Sequence, residues 1–137
     1  MATAAQNQRS KVETRGVILA LRLTALVFCV SVDELEAATR RKAPVALARQ
    51  VAMYLVHVAL GVNLTRVGRA FRRDRSTASY ACQHVEELRD DPNFDHLLDC
   101  LEQTLRILNT QPRQIRPQLG RKLSLAAPSD CPRIGAL

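Results

Sequence analysis

The sequence is poor in aromatic residues: it has no tryptophan, and phenylalanine and tyrosine together make up only 4% of its 137 residues. Leucine, valine and alanine must therefore fill the interior, and this composition suits helices better than sheets. The main apolar run, from Gly16 to Val30, is interrupted by Arg22 and is too short to span a bilayer as a helix. We interpret the run as a buried first helix rather than a membrane span or a secretory signal.

Motifs for metals, nucleotides and covalent catalysis are also missing. The four cysteines form no C-x-x-C pair, so they fit reduced thiols of a cytoplasmic protein better than a disulfide framework. Cys82 lies near His84, and His96 lies near Cys100. Neither pair has the paired spacing of a zinc module. Without a G-x-x-x-x-G-K-[ST] loop for phosphates, we expect no metal, cofactor, nucleotide or enzymatic activity.

The charge, by contrast, is abundant and unevenly distributed, with a formal net value of +7. From residue 40 to residue 75 the basic residues are opposed by Asp74 alone, which favours an anionic partner. From residue 86 to residue 102 the sign reverses, and Arg89 is the single basic residue. This acidic block is either a solvated surface or a docking face for a protein. The candidate docking residues are Asp90, Asp95, Asp99 and Glu102.

Apolar spacing predicts an all-α fold, a compact helical domain over residues 14–109 with its core at 43–105. Residues 1–13 are small and polar, and residues 110–137 are basic and rich in proline, so we expect both to be disordered. No membrane partner is expected for any of these segments.

Several residues mark where helices begin and end. Ser31 and Glu34 have the spacing of a capping box that opens a short helix reaching about Thr39. Pro44 suits the first turn of a long helix, and Gly61 is a natural stop after it. The pair Asp91-Pro92 is expected to begin the last helix, with the aspartate as its cap.

Two short helical patterns flank a charged turn between Asn63 and Glu87. Their apolar stripes comprise Leu64, Val67, Ala70 and Phe71 in the first pattern, and Ala78, Ala81, Cys82 and Val85 in the second. Gly68 would let a neighbouring segment approach closely, and Ser76 is the expected cap of the second helix, with Asp74 as the other candidate. The arrangement is typical of a helix-turn-helix, whose second helix lies in a DNA major groove. An ordinary pair of packed helices is the alternative.

Motifs within and before this pattern recur in one protein family. They are R-Q-V-A-M-Y-L at residues 49–55, V-G-R-A-F at 67–71, D-R-S-T at 74–77 and A-C at 81–82. In these motifs the sequence resembles the C-terminal DNA-binding domain, domain IV, of the bacterial replication initiator DnaA. The resemblance implies a Trp-repressor-like helix-turn-helix fold. Two features depart from the family's G-G-R-D-H-T-T pattern: the turn is one residue shorter and has Arg72-Arg73, and Arg75 replaces the histidine.

The resemblance also implies roles for individual residues. It places Arg49 in a minor groove, and it assigns major-groove contacts to the first turn of the second helix. Those major-groove residues are Asp74, Arg75, Ser76 and Thr77. Charge alone adds four candidate contacts to the phosphate backbone, namely Arg66, Arg69, Arg72 and Arg73.

From these features we expect a DNA-binding regulator of chromosomal replication initiation that acts on double-stranded DNA at origins or promoters. We expect it to be cytoplasmic and associated with the nucleoid. One alternative is an interaction module that engages the initiator or its regulatory ATPase through the acidic residues, and another is a transcriptional regulator. A phosphate-contacting protein loses affinity steeply with salt, which separates the DNA-binding function from protein capture.

Overall fold

The computed structural model describes residues 3–37 and 43–110, and within them it contains helices and no strand. The helices are α1 Ala4–Phe28, α2 Val32–Glu36, α3 Ala43–Val58, α4 Leu64–Ala70, α5 Arg75–Leu88 and α6 Pro92–Thr110. The predicted all-α fold is confirmed. Residues 40–42 of the basic stretch lie outside the described residues, as does the expected tail at residues 110–137 except for Thr110, which ends α6.

Helix α3 forms the centre of the domain and contacts each of the other five helices. Its residues 51–56 are all buried, including Tyr54 at 1% exposure. A helix that is covered on every side has to be apolar around its whole circumference. The alanines and valines of α3 meet this condition and let α1 and α5 pack close to its axis.

The predicted helix signals are confirmed where they can be observed. Ser31 Oγ accepts a hydrogen bond from the Glu34 amide at 3.1 Å, and Glu34 Oε2 accepts one from the Ser31 amide at 3.0 Å. Asp91 Oδ1 accepts from the Asn93 amide at 2.9 Å at the start of α6. The short helix α2 ends at Glu36, earlier than expected. Gly61 has a φ of +67°, a left-handed conformation that glycine adopts at no steric cost.

The expected disordered arm at residues 1–13 is wrong from residue 4 onward, because α1 begins at Ala4. Thr3 and Gln6 form a capping box at this end, with the Thr3 amide donating to Gln6 Oε1 at 2.9 Å. Further along the extension, Glu13 forms an ion pair with Arg66 of α4 at 2.8 Å. Composition had indicated a segment with nothing to bury, whereas α1 extends through it with a cap at its start and this contact between distant residues.

Gly68 is where α4 meets the segment that leads into α5. An ideal Cβ at Gly68 would lie 2.7 Å from the carbonyl oxygen of Arg73 and 3.2 Å from the amide nitrogen of Arg75. These are backbone atoms, which cannot swing aside as a side chain can. The close approach therefore fixes the relative position of the two helices.

We expect Gly68→Ala to lower the free energy of unfolding by roughly 1–3 kcal/mol, because the backbone must shift to accept the methyl group. Gly16→Ala is the matched control, since its Cβ would meet side-chain atoms and no backbone, with Leu60 Cδ1 at 2.5 Å and Asn109 Oδ1 at 3.4 Å. Urea denaturation of both variants measures the difference. The interpretation is wrong if Gly68→Ala is as stable as the wild type, or if it loses no more stability than Gly16→Ala.

Candidate nucleic-acid interface

The turn between α4 and α5 closes through two backbone hydrogen bonds. The Arg73 amide donates to the Gly68 carbonyl at 2.8 Å, and the Arg72 amide donates to the Arg69 carbonyl at 3.2 Å. Arg72 has a φ of +54°, so it occupies the left-handed position at which such helix ends usually carry glycine. An arginine side chain is thus held on the exposed side of the turn at a conformational cost.

Helix α5 begins at Arg75, with Asp74 as its N-cap residue. The expectation that Ser76 caps the helix is therefore wrong: Ser76 is already the second helical residue, and Asp74 holds the extended conformation that a cap requires. The Asp74 side chain makes no capping hydrogen bond. The first turn of α5 therefore receives no hydrogen bond from a capping side chain, and a helix end of this kind attracts anions.

Most of the predicted contact residues share the surface around this turn. Arg66, Arg69, Arg72, Asp74, Arg75, Ser76 and Thr77 are all exposed. Arg66 is partly neutralised by Glu13, but its side chain remains 53% exposed. Arg73 is half-buried and donates a hydrogen bond to the Ala37 carbonyl at 3.0 Å. The exposed set supplies four guanidinium groups: Arg72 and Arg75 flank the start of α5, and Arg66 and Arg69 lie on α4.

Arg49 does not lie on this surface, because its side chain is only 8% exposed. Its Nε donates to the Leu35 carbonyl at 2.8 Å, and its Nη2 donates to the Glu34 and Ala37 carbonyls at 3.0 and 3.1 Å. These are the last carbonyls of α2, which have no partner within the helix. Burial and the nearby charge of Arg73 lower the pKa of Arg49 below its ordinary value. In this conformation Arg49 holds α2 against α3.

The carbonyl of Ala37 accepts hydrogen bonds from both Arg49 and Arg73. One of these arginines belongs to α3 and the other to the turn before α5, so a single oxygen ties α2 to both. The end of α2 is therefore fixed relative to the turn.

The acidic residues lie at the other end of α5, and most of them surround Arg89. The Arg89 guanidinium forms ion pairs with Asp95 at 2.5 Å, with Glu102 at 2.7 Å and with Asp99. Glu102 is 7% exposed and also pairs with Arg106. Asp90 alone among the four candidate docking residues has no ion pair within the described ranges, and it is exposed. Three of the four predicted docking residues are thus engaged with arginine inside the domain.

Tyr54 connects this cluster to α3. Its hydroxyl accepts from Arg89 Nη1 at 2.7 Å and donates to Glu86 Oε1 at 2.9 Å. Burial raises the pKa of Tyr54 to about 12. Although burial opposes the charge on Arg89, its hydrogen bonds with Asp95, Tyr54 and Glu102 raise its pKa above the ordinary value. The sequence showed that the acidic block exists. It did not show that the acidic side chains, with Tyr54 and Arg89, connect α3, α5 and α6.

The described residues can also be searched for a membrane-spanning helix and for a metal site. No helix in the described part of the chain is both long enough and apolar enough to cross a membrane. Among the same residues, no three histidine, cysteine, aspartate or glutamate side chains come together as a metal site. Burial raises the pKa of the Cys82 thiol to about 11, which keeps that group protonated at neutral pH.

Comparison with known proteins identifies the helix-turn-helix region. Residues 19–85 match the family described as the bacterial dnaA protein helix-turn-helix. This segment is similar to a DnaA-type helix-turn-helix domain. It resembles domain IV, as the sequence motifs had indicated. The matched region is the helix-turn-helix part of these proteins and not their ATPase module.

Two relatives show the same similarity to DnaA proteins. The chain is 42% identical over 67 residues to chromosomal replication initiator protein DnaA 2 of Chlamydia trachomatis serovar D, which covers 49% of this chain and 14% of that protein. It is 37% identical over 82 residues to DnaA 1 of Protochlamydia amoebophila, covering 60% of this chain and 17% of the relative. The chain therefore spans less than a fifth of the length of either protein.

A solved structure extends the similarity to most of the described residues. A crystal structure of a DNA replication initiation factor superposes with a TM-score of 0.67 and 27% sequence identity. The alignment covers 74% of this chain and 32% of that one. The shared fold thus reaches beyond the residues that the family match includes.

We expect Arg49→Met to lower the free energy of unfolding by about 2–4 kcal/mol, because three carbonyls at the end of α2, one of them buried and two partly buried, would lose a charged donor. Arg69→Met is the matched control, since it removes an exposed arginine from the same domain. Urea denaturation compares the two variants. A free minor-groove contact would instead leave stability unchanged, so equal stability of the two variants would contradict the structural role of Arg49.

Proposed function

We propose that the domain binds double-stranded DNA by inserting the first turn of α5 into the major groove. The observation that carries this proposal is the uncapped, exposed start of α5 with Arg72 and Arg75 beside it. A helix N-terminus flanked by guanidinium groups suits the phosphate backbone. The resemblance to DnaA proteins supports duplex DNA as the anion, and the relatives are named as replication initiators.

Two classes of contact follow from the geometry. Arg66, Arg69 and Arg72 are exposed along α4 and its end, where they suit phosphate contacts that position the domain without reading sequence. Arg75, Asp74, Ser76 and Thr77 occupy the leading turn of α5 and suit base edges. In the major groove, an arginine pairs with guanine O6 and N7, an aspartate accepts from cytosine N4, and a threonine methyl contacts a thymine methyl.

Two predicted contact residues have other roles in the free protein. Arg49 and Arg73 both hold Ala37, and Arg49 in addition holds two further carbonyls of α2. The resemblance supports a minor-groove contact for Arg49. Such a contact requires Arg49 to leave its three hydrogen bonds, so we propose it only as a rearrangement that accompanies DNA binding.

The process we propose is regulation of chromosomal replication initiation, without enzymatic activity of this domain, in the cytoplasm at the nucleoid. DnaA-type similarity supports the link to initiation, and the short coverage of the relatives makes regulation a proposal about this chain alone. Binding at the initiator's own sites is less supported than duplex binding itself, because Arg75 stands where the family's histidine reads DNA.

Capture of the initiator or of its regulatory ATPase through the acidic residues has less support. Arg89 compensates Asp95, Asp99 and Glu102, so the charge presented to a partner is much smaller than the sequence indicates. Reversing these charges would also break the contact between α5 and α6. Changes at these positions therefore cannot separate a docking role from a structural one.

Arg72→Gly tests DNA binding without damaging the fold. Glycine relieves the left-handed conformation, so we expect the free energy of unfolding to stay equal or to rise by up to about 1 kcal/mol. Loss of a phosphate contact should weaken binding to all duplexes and reduce the slope of log affinity against log salt by about one unit. Gel-shift titrations at several salt concentrations measure both effects.

Arg22→Gln is the control for net charge, because it removes one exposed charge from α1. We expect it to leave the salt slope unchanged, and an unchanged slope in Arg72→Gly as well would contradict the phosphate contact. The same variants test the process in cells through the origin-to-terminus copy ratio. Overproduced wild type and Arg22→Gln should shift this ratio and Arg72→Gly should shift it less; no shift by the wild type would contradict the replication role.

A further inference from the structure

Tyr80 is an exposed aromatic residue on the helix that we propose enters the groove. It is 62% exposed, whereas the other tyrosine, Tyr54, is 1% exposed. Exposed apolar side chains are common on protein surfaces, and Leu26 on α1 is exposed to 76%. What distinguishes Tyr80 is therefore its place on α5 and the way its ring is held.

Tyr80 lies one turn beyond Ser76 on the same side of α5. Residues four apart on a helix share a face, and the rise of 1.5 Å per residue places Tyr80 about 6 Å further along the axis. The opposite side of the helix faces the core, since Ala78, Ala81 and Val85 are 0–1% exposed. An α5 docked through Ser76 and Thr77 thus presents Tyr80 to the same ligand.

The ring of Tyr80 is stacked on that of His84, with centroids 6.0 Å apart and an angle of 2° between the planes. Stacked aromatic pairs at this distance are mutually attractive, so the stack limits the orientations of the tyrosine ring. Within the described residues, the Tyr80 hydroxyl has no hydrogen-bond partner, whereas that of Tyr54 has two. The ring is pre-oriented, and its outer edge is open.

The surroundings of Tyr80 favour an approach by DNA. Residues 75–85 of α5 contain no acidic side chain, and the first acidic residue of the helix is Glu86. Ser79 and Gln83 are the exposed residues nearest to Tyr80 in the sequence on either side, and both are neutral. A phosphate backbone therefore meets no acidic side chain along the first three turns of α5, which lie between Asp74 and Glu86.

We infer that Tyr80 reads a thymine methyl group in the major groove, beyond the bases contacted by Ser76 and Thr77. Thymine is the base that presents an apolar group there. The 6 Å offset corresponds to about two base-pair steps of 3.4 Å. Residues one to two turns into a recognition helix do reach bases, as in zinc fingers, where the sixth helical position makes such a contact. The inference rests on the proposed function.

The test removes the methyl groups of the DNA one at a time. A duplex selected by the wild-type protein from a random library is resynthesised with deoxyuridine in place of each thymidine in turn. Affinities are then measured for the wild type, Tyr80→Ala and Tyr80→Phe. Leu26→Ala is the matched control, since it truncates an exposed apolar side chain on α1, and circular dichroism confirms that each variant is folded.

We expect one position at which deoxyuridine weakens wild-type binding by about four-fold, which corresponds to the roughly 0.8 kcal/mol gained by burying one methyl group. Tyr80→Phe and Leu26→Ala should show the same sensitivity. Tyr80→Ala should bind the thymidine duplex more weakly than the wild type does. Deoxyuridine at the sensitive position should not weaken binding of Tyr80→Ala any further. Other sensitive positions, such as one contacted by Thr77, should remain sensitive in Tyr80→Ala.

Three results would overturn the inference. The inference is overturned if Tyr80→Ala keeps a sensitivity to deoxyuridine at every position where the wild type has one. Tyr80→Phe could bind more weakly than the wild type while Tyr80→Ala keeps every deoxyuridine-sensitive position. That result would identify a contact from the Tyr80 hydroxyl to phosphate instead. If the wild type binds no duplex even at low salt, the proposed function fails together with the inference, whereas normal binding with a Tyr80-independent pattern refutes the inference alone.

Discussion

The contact between Gly68 and the backbone of Arg73 is the constraint on which the arrangement of the domain depends. The Gly68 carbonyl accepts from the Arg73 amide, and no side chain would fit at Gly68 against that segment. Because α4 is held there, the chain reverses through Arg72 and starts α5 with its first turn facing solvent. The same geometry forces an arginine into a left-handed conformation. The first turn of α5 and the Arg72 side chain are thus both exposed because of one backbone contact.

The remainder of the domain supports this turn from both ends of α5. Near its start, the carbonyl of Ala37 accepts from Arg49 and Arg73, which ties α2 and α3 to the turn. Near its end, Arg89 and Tyr54 join α5 to α3 and α6. Arginine therefore serves two purposes in this chain. Buried guanidinium groups hold the helices together, while exposed ones remain available to an anion, and their positions along the chain do not reveal which is which.

The sequence predicted most of the fold because helix ends depend on neighbouring residues. The capping box of Ser31 and Glu34, the start of α6 at Asp91 and Pro92, and the close approach at Gly68 are all local and all observed. The errors concern interactions between distant residues. Arg49 bonds to carbonyls 12–15 residues away, and Glu13 reaches Arg66 in another helix. Local spacing also could not decide between Asp74 and Ser76 as the cap, because both residues favour that position.

The central claim is that the domain meets DNA through the turn and the leading face of α5. Backbone amide chemical shifts, recorded while a selected duplex is added to the isotope-labelled chain, test this claim most directly. The account predicts that the largest changes fall between Arg66 and Tyr80, with small changes in α6. Changes concentrated between Asp90 and Glu102, with α5 unperturbed at its start, would contradict it.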